Sequence, residues 1–141
     1  MKKTYTGYIN NLAENQIFVF GSNVDGWHGA GTAKIALEKF GAIYGKGYGL
    51  NGQSYGLVTV DLKERRAPSR TKDQIKKEID LLYQFAKIKN DKEFLIAYTA
   101  TGTNLNGYSS AEMAKMFASF KIPNNVIFED EFSRLVDSYL I

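Results

Sequence analysis

Ile17–Lys39 reads IFVFGSNVDGWHGAGTAKIALEK, and its three parts decide the fold. Ile17-Phe18-Val19-Phe20 is a short, wholly apolar run of β-branched and aromatic residues, the pattern of a strand buried on both faces. A loop of small and polar residues follows, and its glycines at 21, 26, 29 and 31 let a ligand come close to the backbone. The third part has Ala33, Ala36, Leu37 and Phe40 at helical spacing, and Gly41 stops the helix. A strand that passes through such a loop into a helix is how α/β proteins build ligand sites at strand carboxyl ends. The unpaired amides of the helix start favour an anion, with phosphate the first candidate.

Strand and helix signals keep alternating beyond this stretch. The connection GAIYGKGYGLNGQ reads as a flexible or tightly turned loop, and Ser54–Val60 reads as a second strand. Asp61 to Arg70 is a charged loop containing Pro68. Thr71-Lys72-Asp73-Gln74 matches a capping box, and Ile75, Ile79, Leu82 and Ala86 follow it at helical spacing. Phe94–Thr99 is apolar enough for a central third strand. Ser109-Ser110-Ala111-Glu112 opens another helix, with Met113, Phe117 and Phe120 inward. Val126-Ile127-Phe128 is a short strand, and Phe132, Leu135, Val136 and Tyr139 mark a terminal helix. The alternation predicts a mostly parallel sheet with helices on both faces.

Composition narrows the class of protein without naming a function. A chain of 141 residues is read as a single domain, residues 1–141, able to bury one core. The formal charge of +3 is mild, and the lack of cysteine removes disulfides, thiol catalysis and thiolate metal sites. The N-terminal MKKTYTGYINN is neither a signal peptide nor an anchor, and no apolar run approaches the roughly 20 residues that cross a bilayer. A cytoplasmic protein without membrane association is expected, and a homo-oligomer stays open.

Strand carboxyl ends share one edge of a parallel sheet. That edge is expected to gather Gly21-Ser22-Asn23, then Thr59 and Asp61, then Ala100-Thr101-Gly102-Thr103-Asn104-Leu105-Asn106-Gly107-Tyr108. Two glycine-bearing loops, each followed by a helix start, then face a shared crevice. Gly47-Tyr48-Gly49-Leu50-Asn51-Gly52 fits a dinucleotide fingerprint in letters but precedes a strand, and no P-loop pattern is present. His28 is the only histidine, so a histidine-rich metal site is excluded. Neither a metal nor a cofactor is expected. Asn23, Asp25 and His28 are the weak catalytic candidates. Asn23 and Asp25 suit ribose hydroxyls or a held water, and equally suit turns. Trp27, Tyr48, Tyr55 and Tyr108 are candidates to stack on a base, or to pack in the core. The cluster Lys63, Arg65, Arg66, Arg70, Lys72, Lys76 and Lys77 makes nucleic acid only a minor option, because no nucleic-acid motif accompanies it.

The order FVFGSN, HGAGTAKIA, FGAIYGKGYGLNGQSYGLVTVD, FLIAYT with its glycine loop and capped helix, and NNVIFEDEF resembles a family of small bacterial and bacteriophage proteins related to macro domains, from about Ile17 to Phe132. The resemblance implies a three-layer α/β/α fold whose mostly parallel, mixed sheet carries antiparallel edge strands. It also implies binding of ADP-ribose or a NAD-derived relative, with a cyclic ADP-ribose signal captured by a phage anti-defence protein as the specific form. The alternative it implies is an enzyme, an ADP-ribosyl hydrolase or a processor of ADP-ribose phosphate. Under this likeness Gly21, Ser22, Asn23 and His28 belong to the ligand site, with Asn23 meeting the distal ribose. Gly29, Ala30 and Gly31 wrap that ribose and the diphosphate. Thr101, Gly102, Thr103, Asn104, Asn106, Gly107 and Tyr108 supply a second phosphate loop of backbone amides and an aromatic lid over the sugar. Gln53, Tyr55 and Thr59 lie beside the pocket, and Phe128 and Phe132 approach the adenine. Ala100 stands where relatives carry an arginine, and Leu57-Val58-Thr59 where an I-P-T run is common.

Overall fold

Alternate residues of the Ile17–Phe20 run enter two different cores, which divides the molecule into layers. Ile17 and Val19 join a large core on one side of the sheet, while Phe18 and Phe20 join a smaller one on the other. The computed structural model describes residues 2–102 and 104–140. In chain order the elements are β1 (Thr4–Tyr5), β2 (Gln16–Asn23), α1 (Gly31–Lys39), β3 (Gly49–Asn51), β4 (Ser54–Val60), α2 (Lys72–Ile88), β5 (Glu93–Ile96), α3 (Ser110–Phe117), β6 (Val126–Glu129) and α4 (Asp130–Asp137).

The strands form one sheet in the order β1-β6-β5-β2-β4-β3, parallel throughout except for the antiparallel edge pair β3–β4. Helices α2, α3 and α4 bury Ile75, Ile79, Leu82, Met113, Phe117, Phe132 and Val136 against one face. Helix α1 buries Ala33 and Ala36 against the other, where Ile9 and Leu12 complete the cover. This arrangement is compatible with a three-layer α/β/α architecture. Among the described residues, no helix is long and apolar enough to cross a membrane.

Local chemistry explains where three of the helices begin. Thr71 Oγ1 accepts from the Gln74 amide at 3.1 Å, and Gln74 Oε1 accepts from the Thr71 amide at 2.8 Å, a complete capping box. Ser109 and Glu112 repeat it, at 3.1 Å in both directions. Glu129 caps α4 by accepting from the Phe132 and Glu131 amides at 3.0 and 3.1 Å. Helix α1 has no side-chain cap at all.

Several boundaries differ from the sequence expectation. Gly21-Ser22-Asn23 continues β2 to its end instead of starting the loop, because it pairs in parallel with Leu57-Val58-Val60 of β4. The third strand stops at Ile96, three residues earlier than expected. The connection expected to be a loop contains a strand, β3, and its glycines are required by contact. A Cβ on Gly47 would collide with the Asn23 carbonyl oxygen, and one on Gly56 with the Gly47 carbonyl oxygen. Bare backbone therefore lies on bare backbone across the end of β2. β1 has only two residues, too few for a periodicity, and Tyr5 secures it by donating its hydroxyl to the Ile96 carbonyl at 2.6 Å.

One carboxyl is poorly matched to its position. Glu78 on α2 keeps Oε1 buried without a hydrogen-bond partner, as is the Tyr55 hydroxyl. Burial holds the Glu78 carboxyl above its ordinary value of 4.5, with Arg70, the Val58 backbone and Lys77 opposing it. A raised folded-state value means that stability is fullest below the unfolded value and declines as pH rises through the folded one. Glu78→Gln is accordingly expected to melt higher than the parent at pH 7, with the gap closing below about pH 4.5; melting curves across this range check it, and a constant gap would contradict it.

Candidate functional site

The carboxyl ends of β2 and β4 and the residues just past β5 open into a cavity of about 500 Å³. It is lined from β2 by Gly21, Ser22 and Asn23, from β4 by Thr59 and Val60, and after β5 by Ala97 and Tyr98. Gly29 through Ala33 form one wall, Asn104-Leu105-Asn106 another, and Trp27 and Leu62 complete the rim. Its size falls within the roughly 300–1,000 Å³ range of small-molecule sites.

At the start of α1, hydrogen bonds are missing among the described residues. Ala30 at the N-cap of α1 is extended and offers no side-chain acceptor, and the first helical bond runs from the Lys34 amide to the Ala30 carbonyl at 3.3 Å. Among the described residues, the amides of Gly31, Thr32 and Ala33 have no acceptor and are left as donors beside the cavity, at the positive end of the helix dipole. The other three helices have their starts occupied by Thr71, Ser109 and Glu129. The uncapped start is the one that faces the cavity.

A neutral polar floor lies opposite. The Tyr98 hydroxyl sits over Gly21, so close that a Cβ there would come within 2.9 Å of it and 3.6 Å of Thr59 Oγ1. Burial pushes the Tyr98 hydroxyl up to about 12, while the neighbouring Thr59 and Asn106 side chains pull the other way. Tyr98 is thus a neutral phenol at physiological pH. The described lining residues include no carboxylate, imidazole, amine or guanidinium.

The second loop is built differently from an amide cradle. Its Asn104 and Gly107 amides bond to the Tyr108 and Asn104 carbonyls, both at 2.9 Å, and its Tyr108 amide bonds to Asn106 Oδ1, also at 2.9 Å. These donors are consumed inside the loop, the Nδ2 groups of Asn104 and Asn106 donate to the Tyr108 carbonyl and Met113 Sδ, and Asn104, Leu105 and Asn106 line the cavity. Leu105 reaches across to α1, within 3.1 Å of where a Cβ on Gly31 would be. The two loops therefore nearly meet above the floor.

Of the residues expected at the site, Gly21, Ser22, Asn23, Gly29, Ala30, Gly31, Thr59, Asn104 and Asn106 come together at the cavity. The Asn23 carboxamide closes its own loop: Oδ1 accepts from the Trp27 amide at 2.8 Å, and Nδ2 donates to the Trp27 carbonyl at 2.7 Å. His28 is buried, with Nε2 facing the Ile43 and Lys46 carbonyls at 3.1 and 3.2 Å. Both partners only accept, so Nε2 carries the proton, and the ring fastens the glycine connection instead of facing the cavity. Asp25 does not line the cavity.

The remaining expected residues lie elsewhere. Gln53 donates to the Ala13 and Gln16 carbonyls at the opposite end of the sheet. Tyr55 is buried beneath α2, where it packs on Phe85 and Phe94. Thr101 and Gly102 tether Ser110 at the start of α3 through their carbonyls. Gly107, with φ of +87°, lies against Ala67 and Pro68, and the Tyr108 hydroxyl donates to the Arg70 carbonyl at 2.6 Å. Phe128 and Phe132 are in the large core, where Phe132 stacks under Tyr98 with ring centroids 6.0 Å apart. The expected adenine contact is thus a support for the phenol. Thr103 lies outside the described residues.

The lining residues that the sequence does not point to are Thr32, Ala33, Val60, Leu62, Ala97 and Tyr98, while it leaves Trp27 open between stacking on a base and packing, and Leu105 lies in the loop expected at this edge. Alternation along Phe94, Ile96 and Tyr98 was a usable signal, since all three join the same core. Leu62 carries no such signal. A scan against models of known protein families finds no match, and a search of curated proteins finds none.

Asn23→Ala removes both bonds to Trp27 and is expected to lower stability by roughly 1–3 kcal/mol, as read from urea unfolding. An unchanged midpoint would show that the loop holds without its clamp.

Proposed function

We propose that this protein captures an ADP-ribose-type, NAD-derived nucleotide at the cavity, with its diphosphate at the start of α1. The observation that carries the reading is the trio of amides at Gly31, Thr32 and Ala33, unpaired among the described residues and opening onto a cavity at strand carboxyl ends. The polar floor of Tyr98, Thr59 and Asn106 suits the hydroxyls of a ribose. Lys63, Arg65 and Arg66 lie exposed on the loop that follows Leu62 and form no ion pair among the described residues, a local field that draws anions inward. The likeness of the FGSN, HGAG and GQSY runs to macro domain-like proteins adds support for ADP-ribose chemistry, and for a cyclic ADP-ribose signal sequestered during phage infection as its biological form.

Capture is preferred to hydrolysis for a chemical reason. Cleaving an ADP-ribosyl or phosphate bond needs a group to activate water or protonate a leaving group, and the described lining residues offer only a neutral phenol, hydroxyls and amides.

Gly29 gives a clean probe of the site, since a Cβ there meets nothing within 4 Å. Gly31 serves less well, because its φ of +58° strains any side chain. Calorimetry with ADP-ribose, cyclic ADP-ribose isomers and NAD is expected to show binding of at least one, recovered chemically unchanged by mass spectrometry. Gly29→Glu, which brings a carboxylate to the open amides, is expected to weaken that binding at least 100-fold with an unchanged melting temperature. Turnover of the ligand by catalytic amounts of protein would replace capture with an enzyme, and absence of binding by all of them would overturn the proposal.

A further inference from the structure

Trp27, the only tryptophan of the chain, lines the cavity yet is 60% exposed. A large apolar side chain left in water at a cavity rim is the kind of surface that ligand contact covers. The backbone that carries it is fastened on several sides. The Asn23 carboxamide holds both its amide and its carbonyl. Next to it, Gly26 is packed so tightly on the Gly45–Lys46 backbone that no Cβ could be added, and the Gly45 amide donates to the Gly26 carbonyl at 2.9 Å. The Tyr44 ring lies 6.1 Å away at a 38° tilt and supports the indole from one side. The result is a preset aromatic plane, two residues before the Gly29-Ala30-Gly31 wall and close to the open amides of α1. Of the other aromatics considered for a base, Tyr55, Tyr108, Phe128 and Phe132 are buried, and Tyr48 is exposed but does not line the cavity.

We infer that Trp27 is the specificity-determining platform of the site, on which the purine ring of the bound nucleotide stacks. The inference rests on the proposed nucleotide capture and adds to it the residue that separates a nucleotide from a bare sugar phosphate. Stacking on an aromatic accepts any flat ring, so discrimination here is between ligands that carry a base and those that do not. The Trp27 backbone, not its side chain, makes the bonds to Asn23, so its replacement leaves the loop fastened.

The sole tryptophan makes the test direct. Saturating the protein with ADP-ribose is expected to quench its tryptophan fluorescence by at least half, whereas ribose 5-phosphate leaves it unchanged. Trp27→Leu is expected to weaken ADP-ribose binding in calorimetry by about tenfold, within the range for base–aromatic stacking. Ribose 5-phosphate affinity should stay within twofold, and Trp27→Phe should recover most of the loss. Melting temperatures and sedimentation are measured alongside. Tight ADP-ribose binding with no quenching and no loss in Trp27→Leu would overturn the platform while leaving nucleotide capture standing. No ADP-ribose binding by the parent protein would overturn both. A dimer that Trp27→Leu converts to monomer without affecting ADP-ribose affinity would assign the indole to self-association and overturn the platform.

Discussion

Bare backbone pressed on backbone at Gly47 is the constraint from which the site takes its shape. Because no Cβ intervenes, the connection after α1 crosses the end of β2 in direct contact with the Asn23 carbonyl, and Gly56 of β4 admits it from beneath. The same crossing brings the Ile43 and Lys46 carbonyls to the buried His28 ring, and the Gly45–Lys46 backbone to Gly26. The loop between β2 and α1 is thereby held along its outer side. Asn23 fastens it internally at Trp27, so that Gly29-Ala30-Gly31 emerges in a set place above the strand ends.

What this scaffold presents is an electrostatic asymmetry without a charged side chain in the cavity. One wall offers three amides that are unpaired among the described residues, the floor offers a neutral phenol and hydroxyls, and the cations stand outside on the loop after Leu62. Amides fixed by a helix bind an anion without the desolvation cost of burying a lysine or arginine. They also leave the site without an acid–base pair, which is why capture fits it better than bond cleavage. Phe132 and Phe117 pack around Tyr98 at 6.0 and 5.7 Å and keep its hydroxyl over Gly21, so the large core sets the floor of the site.

Features that depend on local periodicity or capping were legible in the chain. The apolar run at Ile17–Phe20, the boxes at Thr71 and Ser109 and the spacing of α2 needed no tertiary information. The parallel sheet also made it possible to foresee that Gly21–Asn23, Thr59 and Asn104–Asn106 would converge, since strand carboxyl ends share an edge. Less visible was what each group does once there. Asn23 carries a ribose-binding amide in letters, yet its nearest partner is the Trp27 backbone. The loop of Asn104–Tyr108 carries the glycine expected of a phosphate cradle, yet its own carbonyls and Asn106 take most of its amides. β3 was hidden because glycines that permit close packing look the same in sequence as glycines that permit flexibility.

The proposed capture places the anion at the open start of α1. Amide chemical shifts recorded while inorganic pyrophosphate is titrated into the ¹⁵N-labelled protein address it most directly. The Gly31, Thr32 and Ala33 amides are expected to move furthest and saturate together, while those of Gln74, Glu112 and Phe132 at the capped helix starts stay in place. Movement centred on the Lys63–Lys72 segment with those three amides unmoved would contradict it, as would no saturable movement at all.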